Sequence, residues 1–260
     1  MKKNKIVAII EARMSSTRLH GKVMKKVMGK PLLELLIERL KRAKTVDTIV
    51  VATSNHPEDM VIADLAEGLG VHSFCGSLND VLSRVIEAAE SVGGGIIVEI
   101  TGDCPLADPE IVDKMVNTYL SNDADYVSNV LEATYPAGMD VQVFALKVLK
   151  EISLTAKDPE DREHCSWLIY RDTKTTKYKL LNVKGPKALS YPHLRLMLDY
   201  PEDYEFITKI YENLYPEKPD FNTLDIIKLL KEKPELKKIN DRIGIKVWAG
   251  QKIDESTNGD

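Results

Sequence analysis

Only three cysteines, Cys75, Cys104 and Cys165, occur in 260 residues. They are scattered, odd in number and without metal-ligand spacing, so reduced thiols in a cytoplasmic protein are expected. Long apolar runs are missing as well. None approaches the roughly 18 residues of a spanning helix, so no membrane partner is expected. The basic start, Met1-Lys2-Lys3-Asn4-Lys5, leads into a short apolar run that Glu11 interrupts, which argues against a signal peptide. Positive charge is not in excess: 36 lysines and arginines stand against 40 aspartates and glutamates, a net charge of −4. Without a global positive field, nucleic acid is not an expected partner. Two glycine-rich phosphate signatures are also absent. Gly21-Lys22 is followed by Val23, and position 16 is Ser, so there is no P-loop; no G-x-G-x-x-G occurs. The chain shows no internal repeat and no low-complexity linker.

What is present is an alternation. Ile6-Val7-Ala8-Ile9-Ile10 reads as a buried strand, and "PLLELLIERLKRA" (31–43) as a helix with Pro31 in its first turn. "DTIVVAT" (47–53) is a second strand, followed by a helix entered through Pro57 and ended near Gly68 or Gly70. "VHSF", "GGGIIVEI" and "DADYVSNV" supply further strands, separated by helices over "LNDVLSRVIEAAESV" and from Asp108-Pro109 to about Leu120. Such βαβ units predict an α/β protein whose central sheet is mainly parallel, with helices on both faces. Right-handed crossovers bring the strands' carboxyl ends to one edge, where ligands bind. After Tyr135 the pattern loosens. "YPAGMD" is a turn, "VQVF" a short strand, 147–170 mostly helical and 178–183 strand-like. The reading divides the chain into a domain over 1–214 and a helical extension over 215–260, with a disordered end at "DESTNGD".

Although the chain is acidic, Arg13, Arg18, Lys22, Lys25 and Lys26 crowd into the stretch just past the first strand. Ser15, Ser16 and Thr17 between them are small enough for backbone N–H groups to approach an anion as a nest. Arg13, Arg18 and Lys22 can neutralise a phosphate by charge-assisted hydrogen bonds. A solvated basic loop is the bland reading; its place at the strand's carboxyl end argues against it.

"ARMSSTRLHGKVM" closely resembles the amino-terminal motif of CTP-dependent sugar cytidylyltransferases, the family of the N-acylneuraminate and 3-deoxy-manno-octulosonate enzymes. Within it, the likeness is to the spore-coat polysaccharide biosynthesis subgroup. "VATSNHPED", "GSLNDVLSR", "EITGDCPLADPEIVD", "YPAGMDVQVF", "DREH" and "LDYPEDYEFI" follow in the expected order, covering residues 5 to 213. The resemblance implies a Rossmann-like nucleotidyltransferase fold, a homodimer, and transfer of CMP from CTP to a sugar acid or sugar phosphate with loss of pyrophosphate. It places Arg13, Arg18 and Lys22 on the triphosphate, with Arg13, Lys22 and Asp103 as catalytic residues. Ala12, Ser15, Ser16, Thr17, Thr53 and Ser77 complete the nucleotide side. It implies Mg2+ on Asp103 and Asp199, although nothing in the sequence pairs two residues so far apart. Asp203 reads instead as a helix-start residue after Pro201.

Asp140, Gln142, Arg162 and His164 fall on the acceptor side of the resemblance. Asp140 and Gln142 either face that pocket or simply alternate with Val141 and Val143 along a strand. His164 either orients the acceptor or is structural, and Arg84 either reaches the phosphates or sits in a salt bridge. The sequence also departs from its relatives, which usually carry Gln at position 11, Pro at 20, Arg at 99 and Glu at 142. Glu11, His20, Glu99 and Gln142 bear on the acceptor more than on the reaction class. Two other functions compete. A nucleotide-sugar glycosyltransferase would use the D-x-D of Asp123-Ala124-Asp125, and a non-catalytic nucleotide-binding protein would bind CTP without turnover.

Overall fold

The computed structural model describes residues 4–254. Seven strands form the main sheet: β1 (Lys5–Glu11), β2 (Thr48–Ser54), β3 (His72–Gly76), β4 (Gly94–Thr101), β5 (Tyr126–Ser128), β6 (Gln142–Ala145) and β7 (Leu180–Asn182). From edge to edge their order is β7, β5, β6, β4, β1, β2, β3. Every neighbouring pair is parallel except those made by β6, which runs antiparallel to both β4 and β5. Ile6 to Ile10 of β1 are all apolar because both faces of the strand are buried. Ile6, Ala8 and Ile10 enter one core, and Val7 and Ile9 the other.

Helices cover both faces, as the alternation predicts. The first core takes α1 (Leu32–Leu40), α2 (Met60–Gly68), α4 (Pro109–Ser121), α8 (Pro201–Leu214) and α9 (Thr223–Glu232). The second takes α3 (Val81–Ser91), α5 (Leu146–Ser153) and α7 (Trp167–Tyr170), while α6 (Pro159–Glu163) packs beside α3. In α1, Leu32, Leu33, Leu35, Leu36, Ile37 and Leu40 are all buried. Each contributes about 1.5–3 kcal/mol relative to an exposed side chain.

Pro31 differs from expectation. It pairs with Lys26 in a two-residue antiparallel hairpin and caps α1 from an extended conformation instead of sitting in its first turn. The stretch 147–170 is three short helices, broken around Thr155–Asp158 and at His164. Residues after 214 pack on the first core. Phe221, Ile226 and Leu230 are buried there, and the buried carboxylate of Asp108 accepts from Thr223 N (2.8 Å) and Oγ1 (2.6 Å). Of "DESTNGD", residues 255–260 lie outside the described residues.

The chain runs from β1 to β2 and β3 on one side, then returns to place β4 on the other side of β1. The carboxyl ends of β1 and β4 therefore flank a topological switch point, the place where such sheets bind ligands. No described helix is long and apolar enough to cross a membrane.

Candidate active site

A cavity of about 770 Å3 opens at that switch point. Its first wall is the loop after β1, which is held by a buried carboxylate. Asp59 accepts from Met14 N at 2.6 Å and from the Ser54 hydroxyl. Within the loop, Ser16 N and Gly21 N both donate to Met14 O (2.8 and 2.9 Å). Gly21 has φ +62°, a left-handed turn that glycine adopts without penalty, and it delivers Lys22 into the cavity.

Lys22 Nζ lies 3.0 Å from Asp103 Oδ2 and 2.9 Å from Asp199 Oδ1. The two carboxylates, remote in sequence, thus converge on one ammonium. Their segments are clamped together by Leu198 N donating to Asp103 O at 2.8 Å. Burial alone would lower the Lys22 ammonium, but the Asp103 and Asp199 charges outweigh it and raise its pKa. Burial alone would raise the Asp199 carboxyl, but Lys22 and Arg18 hold it below its ordinary value. Arg18 reaches Asp199 Oδ1 at 2.8 Å while half exposed, and Arg13 meets Glu163 of α6 at 2.8 Å.

Asp199 is backed by a buried network that the sequence does not announce. Arg195 bonds Asp199 (3.1 Å) and, through two nitrogens, Asp203 (2.9 Å each). Asp203 also accepts from Asp199 N, Tyr200 N and Asn240 Nδ2. It starts α8, as read from the sequence, and also fixes the Asp199 loop. Asp203→Ala takes from buried Arg195 one of its two carboxylates and leaves Asp199 N and Tyr200 N without their acceptor. The expected cost is about 3–5 kcal/mol in urea denaturation, and a change within about 0.5 kcal/mol would contradict this role.

Most of the residues singled out in the sequence meet in this cavity. Ala12, Arg13, Ser15, Ser16, Thr17, Arg18 and Lys22 line one side; Asp103, Asp140, Gln142, His164 and Asp199 line the rest. Burial, with a further push from Asp103 and opposition from the Gly138 N–H, raises the Asp140 carboxyl to about 6. Burial holds the His164 imidazole below its ordinary value, and Trp248 packs on it with ring centroids 4.2 Å apart.

Three singled-out residues are not brought there. Thr53 is fully buried in β2. Ser77 is exposed and accepts from Asp80 N in a local turn. Arg162 turns to Asp80 at 3.6 Å, because α6 directs its neighbours Glu163 and His164 inward. Lys25 lies over the Tyr204 ring and Lys26 is exposed, so neither lines the cavity. His20 pairs with Glu58 at 2.7 Å. Asp123 and Asp125 bind Lys179 at the sheet's far edge, outside the cavity, so the D-x-D spelling has no part in this site.

The remaining wall comes from residues 244–253, which sequence reasoning missed. Trp248 lies on His164, Trp167 Nε1 donates to Ala249 O (3.1 Å), and Gln251 Nε2 donates to Tyr170 OH (3.1 Å). Lys252-Ile253 pairs in parallel with Glu132-Ala133. The available signal was Ile245, Val247 and Trp248, a short alternation of apolar residues near the polar end of the chain.

Glu11 ends β1, Glu99 lies two residues before the end of β4, Gln142 opens β6 opposite Glu99, and all three point to the same face. Burial, then the charge of Glu99, raises the Glu11 carboxyl to about 8, against the pull of Arg84; burial raises Glu99 as well. Cys165 Sγ is 3.2 Å from Glu11 Oε1 and 3.0 Å from Glu99 Oε1.

A mainly parallel sheet with a cationic loop at its switch point is the architecture of a nucleotidyltransferase. The sequence profile of the cytidylyltransferase family matches residues 7–222. The spore coat polysaccharide biosynthesis protein SpsF of Bacillus subtilis is 32% identical over 237 residues, 89% of this chain and 96% of that protein. A 3-deoxy-manno-octulosonate cytidylyltransferase of Geobacter sulfurreducens is 36% identical over 121 residues, 46% of this chain and 47% of that enzyme. The solved structure of a cytidylyltransferase from Leptospira borgpetersenii superposes with a TM-score of 0.85 at 31% identity, covering 94% of this chain and all of that one. The chain belongs to the cytidylyltransferase family and is a nucleotidyltransferase.

Proposed function

We propose that this protein transfers CMP from CTP to an oxygen of a sugar acid or sugar phosphate, with release of pyrophosphate, for the assembly of a surface glycan. The observation that carries the reading is the convergence of Lys22, Asp103 and Asp199 beside the Arg13–Arg18 loop. The names of the relatives support the substrate class: one serves spore coat polysaccharide synthesis, another takes 3-deoxy-manno-octulosonate.

In this reading the triphosphate lies on residues 12–18. Arg13, Arg18 and Lys22 balance its charge and that of the leaving group. The acceptor oxygen attacks the α-phosphorus, and the bond from that phosphorus to the bridging oxygen breaks. Positioning and fixed charge supply most of the rate. Asp140, Gln142 and His164, which line the same cavity, orient the acceptor. Asp103 and Asp199 are hard oxygen donors already gathered around one cation, the Lys22 ammonium, and the set suits Mg2+, which keeps water and phosphate as its other ligands. When bound, Mg2+ supplies charge to the phosphate oxygens. Lys22 holds those oxygens in this structure, and an incoming triphosphate would offer its ammonium a second partner.

Pyrophosphate release from CTP, UTP, ATP and GTP at equal concentration, across a panel of sugar acids and sugar phosphates, tests the reading. CTP is expected to exceed UTP by about 10²-fold or more, because cytosine presents an N4 donor where uracil presents an acceptor. Equal rates for the two would contradict cytosine recognition. A preference for UTP would move the protein to another nucleotide while leaving the phosphate loop in place.

A further inference from the structure

We propose that Glu11, Glu99 and Cys165 form a second cation site in this protein, for a thiophilic divalent ion of the Zn2+ class. Glu11 and Glu99 lie on adjacent parallel strands, Ile9 opposite Glu99 and Glu11 opposite Thr101. Side chains alternate along a strand, so both carboxylates share the face that buries Val7, Ile9 and Ile97. Cys165, between α6 and α7, closes over them from above that face. Among the described residues this is the one trio of His, Cys, Asp or Glu whose donor atoms all lie within 4.8 Å of one another.

Three observations point to a cation. First, two of the groups are buried, Glu99 at 5% exposed and Cys165 at 1%, and Glu11 is half-buried beside them. Second, their hydrogen bonds do not close. A thiol has one proton and cannot donate to both carboxylates at once. Glu99 Oε2 is buried with no partner, and so is the Nε of the adjacent Arg84. Third, the charges match. With a divalent ion in place the three groups would give up their protons, and their three negative charges would be balanced by the ion and by buried Arg84. The Sγ···O separations of 3.2 and 3.0 Å are shorter, by about 0.3 and 0.5 Å, than the roughly 3.5 Å edge of a tetrahedral Zn2+ site with ordinary Zn–S and Zn–O bonds, so the three groups need only part slightly to admit the ion.

The thiol separates this site from the carboxylate pair at Lys22. Sulfur favours Zn2+ and its neighbours, whereas an all-oxygen set suits Mg2+. Glu11 and Glu99 also line the cavity, so a remaining coordination position faces it, open to water or an acceptor oxygen. The cytidylyl transfer described above makes no use of these three side chains, and the site does not depend on that reaction.

Metal-free full-length protein titrated with Co2+ alone, then displaced with Zn2+, tests the site. One equivalent of Co2+ is expected to bind with a thiolate-to-cobalt charge-transfer band in the near ultraviolet. Cys165→Ser should remove the band, and Glu99→Gln should weaken binding by about 10²-fold or more. Asp103→Asn should leave the thiolate band unchanged, because a carboxylate pair without sulfur gives none. If Cys165→Ser does not fold, the Cys75→Ser/Cys104→Ser double variant, with Cys165 its only thiol, has to keep the band. Absence of a thiolate band in the parent, or its persistence in folded Cys165→Ser, would overturn the proposal and reduce the cluster to side chains sharing a proton.

Discussion

Lys22→Ala is expected to lower turnover by about 10²–10³-fold while the protein stays folded. The Lys22 side chain is 14% exposed and its ammonium touches both Asp103 and Asp199, so it sits at the centre of the site and not on its rim. Its loss removes one fixed positive charge from the region where the leaving pyrophosphate develops negative charge. The fold should survive because each carboxylate keeps other partners. Asp199 retains Arg18 and Arg195, and Asp103 still accepts from the Thr101 hydroxyl. A second effect has the opposite sign. In the free protein Lys22 occupies the oxygens that a metal needs, so nucleotide-free Lys22→Ala should bind Mn2+ more tightly than the parent. Steady-state kinetics measures the first effect and isothermal titration the second. Near-normal turnover in a folded variant would show that Lys22 is only a structural tie.

Asp103→Asn is expected to remove most of the Mg2+-dependent turnover, about 10²-fold or more, and to leave nucleotide binding largely intact. The amide keeps the shape of the side chain, and its oxygen can still accept from Lys22. What disappears is a charge, and with it one of the two carboxylates proposed above to hold Mg2+. The Arg13–Arg18 loop is untouched, so the triphosphate keeps its cations. Nucleotide affinity by fluorescence titration, read beside the Mg2+ dependence of turnover, separates the two contributions. An Asp103→Asn protein with the parent's activity and metal dependence would make Asp103 a turn residue.

The frame of this molecule was legible because its central strands are buried on both faces. "KIVAII" and "GIIVEI" have no polar alternation to confuse with a surface strand, and the helices between them repeat at 3.6 residues. The cationic loop was legible because charge stood out against an acidic chain. Three features were not legible. β6 enters antiparallel between β4 and β5, and a four-residue apolar strand carries no signal of direction. Asp103 and Asp199 meet only through the Leu198–Asp103 backbone bond and the shared Lys22, contacts that no local spacing encodes. Glu11 and Glu99 were visible as charges in odd places. Their meeting with Cys165 depends on strand register and on a chain segment that crosses above the sheet.

The wall at 244–253 belongs to the same class of feature. Its placement rests on Trp248 packing against His164, on Gly244 O accepting from Arg195 at 3.3 Å, and on a two-residue strand pairing. Arg195 thereby joins this segment to the Asp199 loop, so the acceptor side and the phosphate side share one buried guanidinium. Trp248→Ala is expected to raise the KM for the acceptor several-fold with little change in the KM for CTP, because Trp248 covers His164 and not the Arg13–Arg18 loop. Equal effects on the two constants would place the segment over the nucleotide instead.

Phosphorus NMR of the complete reaction tests the central claim most directly. The protein is incubated with CTP and Mg2+, with and without a 3-deoxy sugar acid or a hexose 1-phosphate. Consumption of CTP should require the acceptor, and each pyrophosphate released should match one CMP joined to the acceptor oxygen. CTP hydrolysed equally well without acceptor, or bound but never consumed with any member of the panel, would contradict cytidylyl transfer by this site.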